Sequence, residues 1–289
     1  MNPSLLTPKA PKATKRSGSK KKIRLWRVEG LHKRPSSDVL ATEEPLEIRL
    51  ALADELRPLA LTMRTPGHDF ELAAGFLFSE GVIQSRADIL SISYCLAGEK
   101  ETQQYNQLKV NLRQGDLSDL ERFGVRSSAC GICGKTSLDS LKHRGLTPLA
   151  DDFKVTALSL YQLPQQLAKH QGLFSETGGL HAAALFNLQG ELFQIREDIG
   201  RHNALDKLIG WALLNDHLPL KDHILLLSGR SSYELLQKSL SAGIALVCAV
   251  SAPSSLAVSL AESFGITLVG FLRGERFNIY SHPERIELV

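Results

Sequence analysis

Ile224-Leu225-Leu226-Leu227 and Ile244-Ala245-Leu246-Val247-Cys248-Ala249-Val250 are two apolar runs with no polar interruption. Short apolar runs lying between helical patterns read as strands buried on both faces of a sheet. Working outward, helical periodicity covers 233–242 and 254–264, and a third apolar strand runs over 266–272 with 277–280 behind it. Upstream, 180–186 and 192–196 pair about the Gln189-Gly190 turn, with helices over 158–170 (despite Pro164) and 202–214. Strands alternating with helices predict an α/β class: a mixed sheet with a parallel part, flanked by helices on both faces.

The first half reads differently. A hairpin of 45–52 and 59–63 turns about Asp54 and Glu55, and 69–80 is a helix with acids in its first turn. Further strands are expected at 23–28, 89–95 and 107–112; Cys95, in the second of these, reads as a small core residue. The division expected is a disordered basic tail over 1–22, a smaller N-terminal α+β lobe over 23–125, a mobile loop and helix over 126–150, and the α/β domain over 151–289.

Composition narrows the class. At 289 residues, 43% apolar and 22% charged, the chain is that of an ordinary globular protein. No apolar run approaches the roughly 20 residues of a membrane span, and the N-terminus lacks the apolar region of a signal peptide. Four irregularly spaced cysteines do not form a disulfide framework, which points to a reducing cytoplasm. Residues 1–22 carry seven Lys and Arg and no acid, so the net +3 of the whole leaves −4 for the remainder. The basic character belongs to a tail rich in Lys, Pro and Ser, read as a solubilising leader rather than a nucleic-acid or membrane surface.

Ligands of such sheets gather at the carboxyl ends of the strands. Four loops fall there: Thr177-Gly178-Gly179-Leu180-His181, Arg196 to Asn203, Ser228-Gly229-Arg230-Ser231-Ser232, and Phe271-Leu272-Arg273-Gly274-Glu275-Arg276. Arginine forks, hydroxyls and amides at a helix start are what phosphate oxygens need, so together the loops point to an anionic ligand. Ser228-Gly229-Arg230-Ser231-Ser232, before a helix, is the best single phosphate candidate, with Ser228, Arg230 and Ser231 as its binding groups, although no Walker or dinucleotide fingerprint is present. His202 is a proton donor or a cap of its own helix; His181 reads as a core histidine; Glu197 and Asp198 are expected to pair with Arg196 or Arg201.

Between the halves lies Ser127-Ser128-Ala129-Cys130-Gly131-Ile132-Cys133-Gly134-Lys135-Thr136. Its glycines present sulfur rather than bury it, and a helix start at Thr136 with Lys135 beside it favours thiolate at Cys130 and Cys133. Three chemistries use a C-x-x-C: a structural zinc, which would have to recruit Cys95, Cys248 or His181; a redox pair; and a sulfur carrier. The residues alone leave all three open, together with no special role at all.

Several stretches together carry a resemblance: Cys130-Gly131-Ile132-Cys133-Gly134, Thr177 to Ala184, Glu197 to Lys207, Ser228 to Glu234, Leu268-Val269-Gly270-Phe271 and Tyr280-Ser281-His282-Pro283. In that order, from about residue 23 to the C-terminus, the chain resembles the formate dehydrogenase accessory sulfurtransferases. The resemblance implies a persulfide on Cys130 taken from a cysteine desulfurase, with Cys133 as helper. It implies delivery of that sulfur to the molybdenum of Mo-bis(molybdopterin guanine dinucleotide), bound by Phe271, Leu272, Arg273, Gly274, Glu275 and Arg276, before insertion into the formate dehydrogenase catalytic subunit. A cytidine-deaminase-like fold and a homodimer are also implied, with no permanently bound metal. The zinc signature of true deaminases is absent, and Gly179 stands where some relatives carry a further cysteine. The rivals are a non-catalytic chaperone of the molybdenum cofactor and a zinc-containing nucleotide-binding enzyme.

Overall fold

A computed structural model describes residues 17–53, 55–95, 105–113, 126–127, 141, 145–149 and 153–288. The chain opens with an antiparallel ribbon, β1 (Lys20–Glu29) and β2 (His32–Ala41), which forms a sheet of its own. The strand expected from Ile23 starts three residues earlier, so Lys20, Lys21 and Lys22 are strand residues and not tail. Pairing along the whole length to Ala41 sets that start, whatever the charge of the side chains.

The expected hairpin is β3 (Glu44–Leu52) with β4 (Glu55–Arg64), followed by α1 (Asp69–Glu80), β5 (Ile89–Tyr94), β6 (Gln107–Leu112) and the two-residue β7 (Arg126–Ser127). Their order in the sheet is β5-β6-β3-β4-β7. Alternation drives one face inward: Leu46, Ile48 and Leu50 pack on Leu72, Ala73 and Leu77 of α1. The acids in the first turn of α1 have partners more specific than the helix dipole. Asp69 takes a two-point bond from the buried Arg64 at 3.0 Å each, and Glu71 binds Arg196. Cys95, just beyond β5, is half-buried rather than in the core.

The second half begins with β8 (Val155–Thr156), α2 (Ala157–His170) and α3 (Gly172–Thr177). Thr156 caps α2 by accepting the Ser159 N–H at 3.2 Å. Then come β9 (His181–Asn187), β10 (Leu192–Asp198), α4 (Arg201–Leu214), β11 (His223–Leu227), α5 (Tyr233–Ser241), β12 (Leu246–Ala249), α6 (Ser255–Phe264), β13 (Thr267–Arg273), β14 (Arg276–Ser281) and β15 (Ile286–Glu287). Six of these strands form one sheet in the order β10-β9-β11-β12-β13-β14, with β11, β12 and β13 parallel and the flanks antiparallel. Successive residues of the apolar strands feed opposite layers. Leu225, Leu227, Val247 and Ala249 face α4, α5 and α6, whereas Ile224, Leu226, Leu246 and Cys248 face Leu160, Leu163 and Leu167 of α2. Cys248 is enclosed there, and burial pushes its thiol well above the ordinary range.

The lobes meet where α1 lies against α4. A Cβ on Gly75 would stand 1.8 Å from the Asp206 carbonyl oxygen, and one on Gly210 would stand 1.8 Å from that of Glu71. The helices therefore touch backbone to backbone, and only glycine fits on either side. Gly210→Ala should cost about 3 kcal/mol or more, the upper end of overpacking, because a carbonyl cannot step aside as a side chain can. Urea unfolding measures it; a loss below about 0.5 kcal/mol would mean the helices are free to separate.

Candidate functional site

In the six-stranded sheet, β10, β11, β12 and β13 end, and β9 and β14 begin, on a single edge. All four loops singled out in the sequence lie along it. They do not form one basin. A cavity of about 460 Å³ is lined by residues that include Gln171, Phe174, Gly178, Gly179, His181, Ser228 and Val250. A second, of about 340 Å³, is lined by Phe271, Arg273, Arg276, Phe277 and Asn278. Val250 separates them, walling the first while its carbonyl accepts Arg273 Nε at 3.2 Å.

The phosphate candidates divide accordingly. Ser228 is in the first cavity, its Oγ accepting the Ala182 N–H at 2.9 Å and lying 3.5 Å from His181 Nδ1. Arg230 is exposed. Ser231 is buried, and its backbone holds the loop after β12: its N–H donates to Ala252 at 3.2 Å and its carbonyl accepts from Ser254 at 2.9 Å. In the last segment, strand alternation turns Phe271 and Arg273 outward and Leu272 into the core. Leu272 therefore offers no side chain to a ligand. Phe271 sits at φ 53, a left-handed conformation uncommon for a bulky residue, with its N–H bonded to Ser251. Gly274 and Glu275 are the exposed turn into Arg276.

Three expectations about charge are corrected. Asp198 pairs with neither Arg196 nor Arg201. It is fully buried and accepts from Lys207 Nζ at 2.6 Å, the Thr65 N–H at 3.1 Å, the Gly200 N–H at 2.8 Å and Asn203 Nδ2 at 3.1 Å. Glu197 accepts the N–H groups of Leu173 and Phe174 at the start of α3, and Arg196 is committed to Glu71. His202 does not cap its own helix: Nε2 meets Glu234 Oε2 at 2.8 Å, and that bond holds the Glu234 carboxyl low against the opposing effect of burial. His181 is not a core residue. It lines the first cavity, and burial, then the charges of Arg201 and His202, press its pKa below the ordinary value. Gly229 fits against its ring, where a Cβ would meet the imidazole at 3.3 Å.

Two contributors went unread. The loop from Val250 to Ser254 carries no charge to draw notice; its signal was its place directly after a buried strand. The Thr65-Pro66-Gly67-His68 turn belongs to the first lobe, yet Thr65 bonds Asp198, Ile199 and Lys207. Cys130 and Cys133, with Lys135 and the helix start at Thr136, lie outside the described residues. The strand that leads to them does not: β7 pairs in parallel with β4, Leu61 opposite Ser127. The next residues of β4 reach the second lobe, with Thr62 Oγ1 3.1 Å from Asn203 Oδ1 and the Met63 carbonyl accepting Asn203 Nδ2 at 2.7 Å.

Residues 41–287 match the profile of the FdhD/NarQ family. The chain belongs to that family. It is 51% identical over 254 residues to the sulfur carrier protein FdhD of Mycolicibacterium paratuberculosis, covering 86% of this chain and 92% of that one. It is 42% identical to the protein of the same name from Sulfurisphaera tokodaii, over 92% of this chain and 98% of the other. Among solved structures it is similar to a candidate formate dehydrogenase accessory protein from Desulfotalea psychrophila, with a TM-score of 0.71 at 26% identity over 93% and 99% of the two chains. Among the described residues no helix is long and apolar enough to cross a membrane.

A histidine whose pKa is lowered by folding resists a proton that the unfolded chain accepts, so its contribution to stability is lost as pH falls below about 6.5. Thermal unfolding of the wild type should therefore fall off more steeply from pH 7 to 5 than that of His181→Gln. His223, lowered by burial as well, leaves a residual slope in both. Parallel curves would show that His181 is not held neutral.

Proposed function

We propose that this chain is a sulfurtransferase that prepares formate dehydrogenase: it carries sulfur as a persulfide on Cys130 and delivers it to the molybdenum of Mo-bis(molybdopterin guanine dinucleotide). The observation that carries the reading is the tether. Ser127, three residues before Cys130, is paired to the strand whose next residue bonds Asn203, beside His202. An extended chain spans at most about 3.3–3.6 Å per residue, so three residues confine Cys130 to about 11 Å from Ser127. The tether holds the sulfur within reach of Asn203 and His202, at the β10 side of the edge along which the four loops lie. The names of the relatives, sulfur carrier and formate dehydrogenase accessory protein, support the same reading.

The residues present suit such an acceptor. Arg273 and Arg276 offer guanidinium groups to phosphate oxygens, and Phe271 and Phe277 in the same cavity offer ring faces to a base. In the loading step the Cys130 thiolate attacks the terminal sulfur of a persulfide on a cysteine desulfurase. The donor's S–S bond breaks, the donor leaves as a thiolate, and the persulfide now sits on Cys130. Cys133 assists as a second thiol. A cytoplasmic homodimer with a deaminase-like sheet completes the reading.

Loading is read by intact-protein mass spectrometry after incubation with a cysteine desulfurase and cysteine. Wild type and Cys133→Ser should gain one sulfur, removable by dithiothreitol, and Cys130→Ser should gain none. An increment that persists in Cys130→Ser contradicts the assignment. No increment in any form, with the desulfurase turning over, favours the cofactor chaperone. Binding is read with GDP: Arg273→Ala with Arg276→Ala should weaken it at least tenfold, about 1.4 kcal/mol, and unchanged affinity would remove the pocket from the account.

A further inference from the structure

The ribbon of β1 and β2 is the part of the fold that the site does not use. Its strands pair over their full length, from Lys20 opposite Ala41 to Glu29 opposite His32. No ribbon residue belongs to the three apolar cores of the described residues. Among the described residues, Lys20 at its base pairs with Glu176, and β2 lies against α3. The far half carries Trp26 at 64% exposure, Val28 at 65% and Leu31 in full contact with water. Trp26 and Val28 share one face with their partners Pro35 and Lys33, and the Lys33 ammonium stands 5.4 Å from the Trp26 ring centre. A lone two-stranded ribbon is marginal in water, and an apolar patch rimmed by charge marks a docking surface.

The complement lies on the same chain. Residues 20–41 hold seven Lys and Arg against two acids, whereas residues 42–289 carry a net charge of −6. The outer face of the β3–β4 hairpin sets Leu61, 44% exposed, opposite Glu47, and Met63, 42% exposed, opposite Pro45, with the exposed Glu43 beside them. Glu47 is held by Arg49 on the same face at 2.8 Å, so Glu43 carries the acidic character of the rim, opposite in sign to the ribbon. The chain's own ribbon lies against α3 and leaves that face open.

We infer that the ribbon of one copy docks on the outer β3–β4 face of a second copy, in a reciprocal exchange. The inference rests on the homodimer of the reading above and names its interface. Because a two-fold exchange uses the same two patches on both copies, it closes on itself without leaving either patch open. It also puts the partner's ribbon beside Leu61, the residue that pairs with the strand leading to Cys130. A nucleic acid is the lesser fit, since Val28 and Leu31 give a phosphate backbone nothing to bind.

Light scattering on the full chain after gel filtration tests this. Wild type should have the mass of two chains. Arg27→Glu/Lys33→Glu and Glu43→Lys/Glu47→Lys should each have the mass of one, as should Trp26→Ser/Val28→Ser/Leu31→Ser, all with wild-type circular dichroism. Mixing the two charge-reversed variants should restore the two-chain mass, because both contacts of the mixed pair are again of opposite charge. If wild type and every variant are dimers, the interface lies elsewhere and the inference falls while the dimer stands. If wild type has the mass of one chain, both fall. Loss of binding to a mixed-sequence RNA oligonucleotide in the ribbon variants, at unchanged mass, would overturn the inference in favour of a nucleic acid.

Discussion

Two helices in backbone contact hold this protein together. At the crossing of α1 and α4, Gly75 and Gly210 each occupy space that a carbonyl oxygen denies to any other residue. The close approach brings the polar groups of α1 and its flanking turn into the second lobe. Ser79 donates to Asp206 at 3.1 Å, and Lys238 reaches the same carboxylate at 2.8 Å. Burial raises the pKa of Asp206, and the Lys238 charge opposes that rise. Such a pair is weak as a source of stability, because desolvation offsets its attraction, but breaking it leaves a buried charge with no counter-ion. Its effect is to fix one arrangement of the lobes.

That arrangement decides where the chemistry can happen. Lys207, one turn along α4 from Asn203, binds Asp198 from β10 and the carbonyl of Thr65 at the end of β4. One buried cation thus joins the last residue of a sheet strand in one lobe to the strand that aligns β7 in the other. The arginines and aromatics of the second cavity project from β13, β14 and their turn, elements fixed by the core layers beneath them. In the proposed reading, scaffold and reacting segment are divided: the strands hold the groups that would bind an anion, and the segment after Ser127 would bring the sulfur.

Much of this was legible in the residues. The uninterrupted apolar run around Leu246-Val247-Cys248-Ala249 could only be a doubly covered strand, and its alternating burial into two layers follows from that. The Gln189-Gly190 turn fell in place because Gly190 takes φ 84, a conformation open to glycine. Partners across the lobe interface were not legible. Arg196 stands next to Glu197 and Asp198 in sequence, yet binds Glu71 of α1, and Asp198 accepts the Thr65 N–H from the other lobe. Nothing in the sequence marks Gly75 and Gly210 as partners, yet their missing side chains are the reason the helices meet. His181 alternates like a core residue, but β9 begins there, at the sheet edge where the cavity opens. Local pattern reports which elements form; contacts between residues more than a hundred positions apart need the assembled chain.

The proposal requires that Cys130 reach a ligand held in the Arg273–Arg276 cavity. The rate of Cys130 alkylation by iodoacetamide, with and without saturating GDP, measures that directly. The account predicts slower alkylation with GDP in the wild type and no slowing in Arg273→Ala with Arg276→Ala. An equal rate with and without bound GDP would contradict it.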